Sequence, residues 1–249
     1  MDWTENFFGK YYLTIHKPLL TKQITLQEIN FIIDILDLDE NNFILDIPCG
    51  FGRHSIPLAE KGFNVIGIDN NDEFLSLANR IKNTRNLKNI NFIKEDMQNL
   101  DYKNKFDAII NLFTSFGYYD DEVNFDILKR MSKSLKKGGK LLIEFLNREW
   151  TIINTRINNQ VWVVYPNNIV FLANNNFDVF TGRWISEQKV VDNGEIFNQS
   201  ENIRLYSYVE MNKMLNELGL EIITSYGDYD KSPYTSDSTK MIILAEKKI

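Results

Sequence analysis

The sequence predicts an α/β chain, a doubly wound, mostly parallel sheet of seven strands with an inserted antiparallel β meander. Three observations lead there. Short apolar strands alternate with amphipathic helices from residue 25 to about 150, the pattern of a parallel sheet covered on both faces. Between about 160 and 207 that rhythm gives way to strand-like runs joined by hairpin turns. A helix and two more strands then resume it. Residues 1–24 are expected to form an N-terminal lid and residues 25–150 and 205–249 the core. Residues 151–204 are the inserted meander, read either as a cap or as a dimerisation element.

The first helix is expected over about 26–37, where Ile29, Ile32, Ile33 and Leu36 share a face and Thr25 with Glu28 makes a capping-box pattern. Phe43–Ile47 reads as a short buried strand ending in the turn Pro48-Cys-Gly-Phe-Gly. A helix over about 53–61 closes at Gly62. Val65–Asp69 is the second strand, and Asn71 to about Arg85 a helix with Phe74, Leu75, Leu77, Ala78 and Ile81 inward. Ile90–Ile93 and Phe106–Leu112 are the third and fourth strands. A helix from Asp121 to about Lys137 is expected to stop at Gly138-Gly139, and Lys140–Leu146 is the fifth strand. Val161–Tyr165, Ile169–Ala173, Arg183–Val191 and Gly194–Leu205 make the meander. Its turns lie at Phe180-Thr-Gly-Arg and Val191-Asp-Asn-Gly-Glu. A helix over about 209–218 and strands Leu220–Tyr226 and Met241–Glu246 complete the chain.

Composition excludes several function classes. The chain of 249 residues is 43% hydrophobic and 13% aromatic, so a sizeable core is available. Its net charge of −6 argues against a polyanion as main partner, and no nucleic-acid target is expected. No apolar run approaches the ~18 residues of a membrane span, and the acidic, aromatic N-terminus is unlike an export signal. No membrane partner and a cytoplasmic location are expected. With one cysteine, Cys49, and two histidines, His16 and His54, neither a cysteine zinc cage nor a three-histidine metal site can be built. No metal is expected.

The most informative segment is Ile44-Leu-Asp-Ile-Pro-Cys-Gly-Phe-Gly-Arg-His54. A small-residue turn leads from a strand into a helix start, where backbone can approach a ligand and N–H groups are unpaired. Seventeen residues after Gly52, the next strand ends in Asp69. In a nucleotide-binding βαβ unit an acid there accepts hydrogen bonds from ribose hydroxyls; it also suits a helix N-cap. The dinucleotide fingerprint asks for a third glycine where Ser55 stands, and no phosphate-binding P-loop is present. A ligand with a nucleoside but no pyrophosphate fits best.

On these residues the chain resembles the class I S-adenosylmethionine (SAM)-dependent methyltransferases of small-molecule type. Asp46, Gly50 and Gly52 match the family's glycine motif, with Pro48 in place of its first glycine. The resemblance implies that Asp69, with Asn70 beside it, holds the ribose and that Asp96 and Met97 hold the adenine. It places Asn111 toward the methionine part and Asp46 either under the glycine turn, toward the ligand's ammonium, or as a buried, satisfied carboxylate. Tyr11, Tyr12, Phe113, Tyr118 and Tyr119 are candidates to face the sulfonium by cation–π attraction. SAM is the expected cofactor and S-adenosylhomocysteine (SAH) its product. Methyl transfer is an in-line displacement from a neutral leaving group, so positioning and water exclusion carry most of it. His54, His16 and Tyr12 are weak catalytic candidates, and Arg53 is a candidate for the SAM carboxylate or an anionic acceptor.

The acceptor is expected to be a small molecule, nitrogen slightly favoured over oxygen, met by the lid Trp3–Leu20, the loop after the fourth strand and the meander with Trp162, Tyr165, Phe171 and Trp184. The loop Ser232-Pro-Tyr234 is a further candidate wall. The assembly is expected to be a monomer or homodimer. Competing readings are a catalytically inactive SAM-binding partner subunit and, on Gly50-Phe-Gly52 with Asp69, an NAD-dependent oxidoreductase.

Overall fold

A computed structural model describes residues 3–248; Met1 and Asp2 of the expected lid and Ile249 of the expected core lie outside the described residues. The chain opens with two short helices, α1 (Trp3–Phe7) and α2 (Tyr12–His16), then α3 (Lys22–Leu36). β1 (Phe43–Asp46), α4 (Ser55–Glu60), β2 (Asn64–Asp69), α5 (Asp72–Thr84), β3 (Ile90–Lys94), β4 (Phe106–Asn111), α6 (Asp121–Ser134) and β5 (Leu135–Leu146) follow. After α7 (Arg148–Ile157) come β6 (Gln160–Val164), β7 (Val170–Asp178), β8 (Arg183–Asp192) and β9 (Glu195–Arg204). α8 (Tyr208–Glu217), β10 (Leu220–Tyr226) and β11 (Lys240–Lys247) close the fold.

The seven-stranded sheet runs β10-β11-β5-β4-β1-β2-β3. Its first five chain-order strands pair in parallel, and β11 lies antiparallel to both β5 and β10. The strand order reverses at β1, which has β4 on one side and β2 on the other. In open α/β sheets that reversal leaves a crevice beyond the strand C-termini, where ligands bind. Alternate residues of each strand feed two cores. Leu45, Ile109, Leu141 and Ile143 pack on one face toward Ile127 and Met131 of α6 and Met211 of α8. Ile44, Ala108, Ile110 and Leu142 pack on the other toward Ile29 and Ile32 of α3 and Leu58 of α4.

Several boundaries differ from the sequence reading, each for a physical reason. α3 starts four residues earlier than expected because Thr21 is its N-cap, accepting the Ile24 N–H at 3.2 Å. Glu28 is therefore free of capping duty. α6 ends at Ser134 rather than Lys137, since buried Leu135 already pairs with Phe106. Gly138-Gly139 lies inside β5: Gly138 has φ +76°, and a Cβ on Gly139 would meet the Lys136 and Phe106 carbonyl oxygens at 2.8 and 3.1 Å. α7 was unexpected; Asn147 caps it through the Glu149 N–H at 3.1 Å. Both hairpin turns form as expected, with Gly182, Asn193 and Gly194 at positive φ.

The four-stranded sheet β6-β7-β8-β9 is wholly antiparallel and sits against the first sheet's loop after β4. Its anchor is Arg183, whose guanidinium donates to the carbonyls of Gly117, Tyr118 and Tyr119 at 3.3, 3.0 and 2.9 Å. Arg204 adds a backbone bond to the Gly117 carbonyl at 2.8 Å. On the opposite side Tyr11 donates to Asp192 at 2.9 Å and packs on Phe197.

In β2, Gly67 leaves room for the Phe92 ring: a Cβ there would stand 2.7 Å from Phe92 Cδ1 and 2.9 Å from Cys49 Sγ. Gly67→Ala is accordingly expected to destabilise the fold by about 1–3 kcal/mol, the usual cost of overpacking, in urea denaturation. An unchanged midpoint would show that Phe92 swings aside freely.

Candidate active site

A cavity of about 410 Å³ opens beyond β1, β2 and β4, at the sheet's reversal point. Its floor is the turn after β1. The Ile47–Pro48 peptide is cis, and Gly50 and Gly52 take φ +54° and +82°, values open to glycine at little cost. Gly50 lines the cavity. Gly52 does not: a Cβ there would meet Ile56 Cδ1 and the Phe92 ring tip at 2.9 Å, so it lets α4 approach the sheet.

Asp69, at the end of β2, is buried and lines the cavity. One carboxylate oxygen accepts the Gly50 N–H at 2.7 Å, the other the Asn71 N–H at 2.9 Å. Burial pushes its pKa up, and those backbone N–H groups pull against it. The helix N-cap is Asn71, not Asp69, accepting from the N–H groups of Glu73 and Phe74. Asp69 thus keeps lone pairs on both oxygens for a ligand.

Next to Asp69, just past the end of β3, Asp96 caps the short 3₁₀ turn Met97–Asn99 and accepts the Tyr119 hydroxyl at 3.2 Å. Asn70, 3.4 Å from Asp96, and Met97 line the same wall. The structure therefore brings Gly50, Asp69, Asn70, Asp96, Met97 and Tyr12 to one cavity.

Asn111 and Gly52, expected at the ligand, sit behind the cavity, as does Asp46, which the sequence left open between the turn, the ligand's ammonium and a buried carboxylate. Asp46 is buried beneath the turn and accepts the Ser55 hydroxyl at 2.5 Å; burial pushes its pKa up to about 7. Ser55, where a dinucleotide site needs glycine, thus serves as Asp46's partner. Asn111 donates to the Ile47 carbonyl at 2.6 Å, and its own carbonyl oxygen is buried without a partner. Gly52 is the packing glycine described above.

Glu28 has the role that capping-box logic concealed. It is buried, and one oxygen accepts from both the Arg53 guanidinium and His54 Nε2, the latter at 3.0 Å. Burial alone would raise the Glu28 pKa, but His54 and Arg53 prevail and hold it below the ordinary range. Burial, seconded by Arg53, keeps His54 below its usual pKa. Arg53 lies 5.1 Å over the Phe113 ring, and its Nη2 is buried with no hydrogen-bond partner among the described residues. The one available signal was spacing, since Glu28 stands three and four residues before buried Phe31 and Ile32.

Phe113 and Thr114 both hold positive φ, +62° and +56°. Glu144 fixes this bend: it accepts the Phe113 N–H at 2.8 Å and the Tyr229 hydroxyl at 2.5 Å. Tyr12, Phe113, Tyr118 and Tyr119 line the cavity, whereas Tyr11 turns to the second sheet. His16 stacks on Tyr12 at 4.3 Å and its Nδ1 donates to the Tyr12 carbonyl at 2.9 Å; it does not line the cavity. Trp162 is 72% exposed, so it forms no wall, and Trp184 donates to Thr155 at 3.2 Å. Tyr165 and Phe171 pack beside Tyr11. Tyr234 donates to Asn147 at 3.2 Å, away from the cavity.

Residues 44–139 match the family model described as a methyltransferase domain. This segment is similar to the methyltransferase domains of that family. The whole chain has the fold of SAM-dependent methyltransferases. A SAM-dependent methyltransferase from Clostridium acetobutylicum ATCC 824 superposes with a TM-score of 0.81 at 20% identity, covering 94% of this chain and 97% of the other. A Bacillus subtilis (strain 168) protein named as a methyltransferase, YqeM, is 27% identical, covering 84% of this chain and 86% of its own. The glycine/sarcosine N-methyltransferase of Parasynechococcus marenigrum (strain WH8102) is 26% identical, over 81% of this chain and 71% of its own. The matched residues run from β1 into the first part of β5 and include the cavity floor. No helix among the described residues is long and apolar enough to cross a membrane.

Proposed function

We propose that the chain is a SAM-dependent methyltransferase acting on a small-molecule acceptor, with nitrogen favoured over oxygen. The observation that carries this reading is Asp69, pre-oriented by two backbone N–H groups and open to the cavity, with Asp96 beside it at the end of the neighbouring strand. Its spare lone pairs match the two adjacent hydroxyls of a ribose. Asp96 and the Met97 backbone suit the edge of adenine, with Asn70 between the two acids. The unpartnered Arg53 Nη2 suits the carboxylate of the ligand's amino-acid tail. Tyr12, Phe113 and Tyr118 offer ring faces to a sulfonium. When bound, SAM supplies an electrophilic methyl carbon. The chain orients it and excludes water, while Asp46 and Asn111 brace the floor from behind.

Neither histidine suits proton carriage. His54 is committed to Glu28, and His16 faces away from the cavity. The relative that methylates glycine and sarcosine nitrogen supports the preference for an amine. An NAD reading is disfavoured because Ser55 spends its hydroxyl on Asp46 where a third glycine is needed.

Isothermal calorimetry tests this reading. SAH is expected to bind one per chain, and NADH not at all. A folded sample that ignores SAH overturns it.

A further inference from the structure

We propose that Glu201, on the inserted sheet, is the acceptor-binding carboxylate, holding a cationic amine beside Tyr12 and Tyr118 and taking its proton. This deepens the proposed function and rests on it. The inner face of the second sheet is built in four cross-strand rows. Phe171, Val190 and Phe197 form an apolar row at one end, covered by Tyr11 and Ile15. Phe177, Trp184 and Ile203 form another at the far end, where Arg148 lies 5.6 Å over Phe177 and Thr155 bonds Trp184.

Between them lie two polar rows on a face that should be apolar. In the first, Gln199 donates to Gln188 at 2.7 Å, and Gln188 to Ser186 at 3.1 Å, so their amides are occupied. The second row is Asn175, Ser186 and Glu201. There, among the described residues, the Asn175 carbonyl oxygen is buried without a partner, and no side-chain or backbone donor bonds the Glu201 carboxylate. Buried polar groups left unpaired cost about 1–3 kcal/mol each, which a merely structural sheet would have shed. Glu201 is half-buried on this inner face, behind the residues that line the cofactor cavity rather than among them.

Among the described residues, the titratable groups facing it are Tyr12 from α2 and Tyr118 from the loop after β4, both within its electrostatic reach and both on the cofactor cavity. The two tyrosines are therefore neighbours both of the cavity and of Glu201. Burial pushes the Glu201 pKa up to about 8, close to what a base for an ammonium needs. The ammonium nitrogen gives one proton to the carboxylate. Its freed lone pair then bonds the methyl carbon as the carbon–sulfur bond breaks, its electron pair going to sulfur. The methylated ammonium leaves, and Glu201 returns its proton to solvent.

The test screens a panel of aliphatic amines, each beside the alcohol that replaces its nitrogen by oxygen, by SAH release. Turnover is expected on amines alone. On the best amine, Glu201→Gln should lower kcat/KM by ~100-fold or more, the usual scale of a positioned base. The rise of wild-type kcat/KM with pH through about 8 should vanish in the variant. The SAH Kd should stay within about twofold, while the best amine binds the SAH-loaded variant ~10-fold more weakly, the scale of one lost charged hydrogen bond. Turnover on alcohols alone, no turnover on any member, or a Glu201→Gln rate within about threefold of wild type each overturn the proposal. In all three, intact SAH binding leaves the methyltransferase reading standing; a folded wild type that fails to bind SAH removes both.

Discussion

Asp69→Ala is expected to raise the Kd for SAH by ~100-fold or more while leaving the fold intact. A carboxylate accepting two hydroxyls contributes about 1.5–3 kcal/mol per charge-assisted bond, and ~2.7 kcal/mol is already a factor of 100. The loss also spreads into the floor. Asp69 is the acceptor for the Gly50 N–H, so its removal frees the turn that the ligand would rest on. Asparagine is no innocent control here. Its amide nitrogen would confront either the Gly50 or the Asn71 N–H, a donor against a donor. Calorimetry with SAH, paired with circular dichroism of the variant, reads the outcome. A Kd within about threefold of wild type would remove Asp69 from the ribose and with it the main support for an adenosyl ligand.

Glu28→Ala is expected to destabilise the protein by about 3 kcal/mol or more in urea denaturation. The variant strands the Arg53 guanidinium, buried with only Phe113 for company, and leaving one charge of a buried pair uncompensated typically costs about 3–5 kcal/mol. The pH dependence follows from the same residues. Glu28 has a folded pKa below its ordinary 4.5, so its contribution is complete above that value and fades as pH falls through the folded pKa. His54 is held neutral by burial, below its ordinary 6.5, so the folded state resists a proton that the unfolded chain accepts. The contribution of these two residues should therefore begin to fall as pH drops below 6.5 and fall faster below 4.5, against the opposite slope of Asp46 and Glu201, whose raised pKa values make the folded state the better proton binder. The variant should lose the lower step and keep the upper one. A cost under about 1 kcal/mol would mean that Arg53 reaches water once released.

What the sequence revealed, and what it hid, divides along the range of the forces involved. Strand and helix periods are local, and all seven strands of the first sheet were legible from alternation and turn residues. So were Gly50, Asp69 and Asp96, because strand C-termini must converge where the sheet reverses. The second sheet's hairpins were equally plain, since Asn193-Gly194 demands a tight turn. Side-chain partnership across the fold was not legible. Glu28 looks like a capping residue until its helix is placed against α4, and Ser55 looks like a flaw in a glycine motif until Asp46 lies beneath it. Helix α7 was missed because its face is short and mixed, with Thr151 and Thr155 rather than large apolar residues as its buried positions. Glu201 carried one faint signal: alternation puts it on the side of buried Ile203.

The joint between the two sheets has a consequence for descent. Arg183 fastens the insertion by gripping main-chain oxygens at residues 117–119, so the host segment is recognised by its path and not by its side chains. A lineage can therefore exchange the whole inserted module for another bearing an equivalent arginine, provided that Gly117 stays, since a Cβ there would collide with the Arg204 carbonyl oxygen, and that Tyr119 keeps its bond to Asp96. Chemical taste and donor grip are free to drift apart at separate tempos.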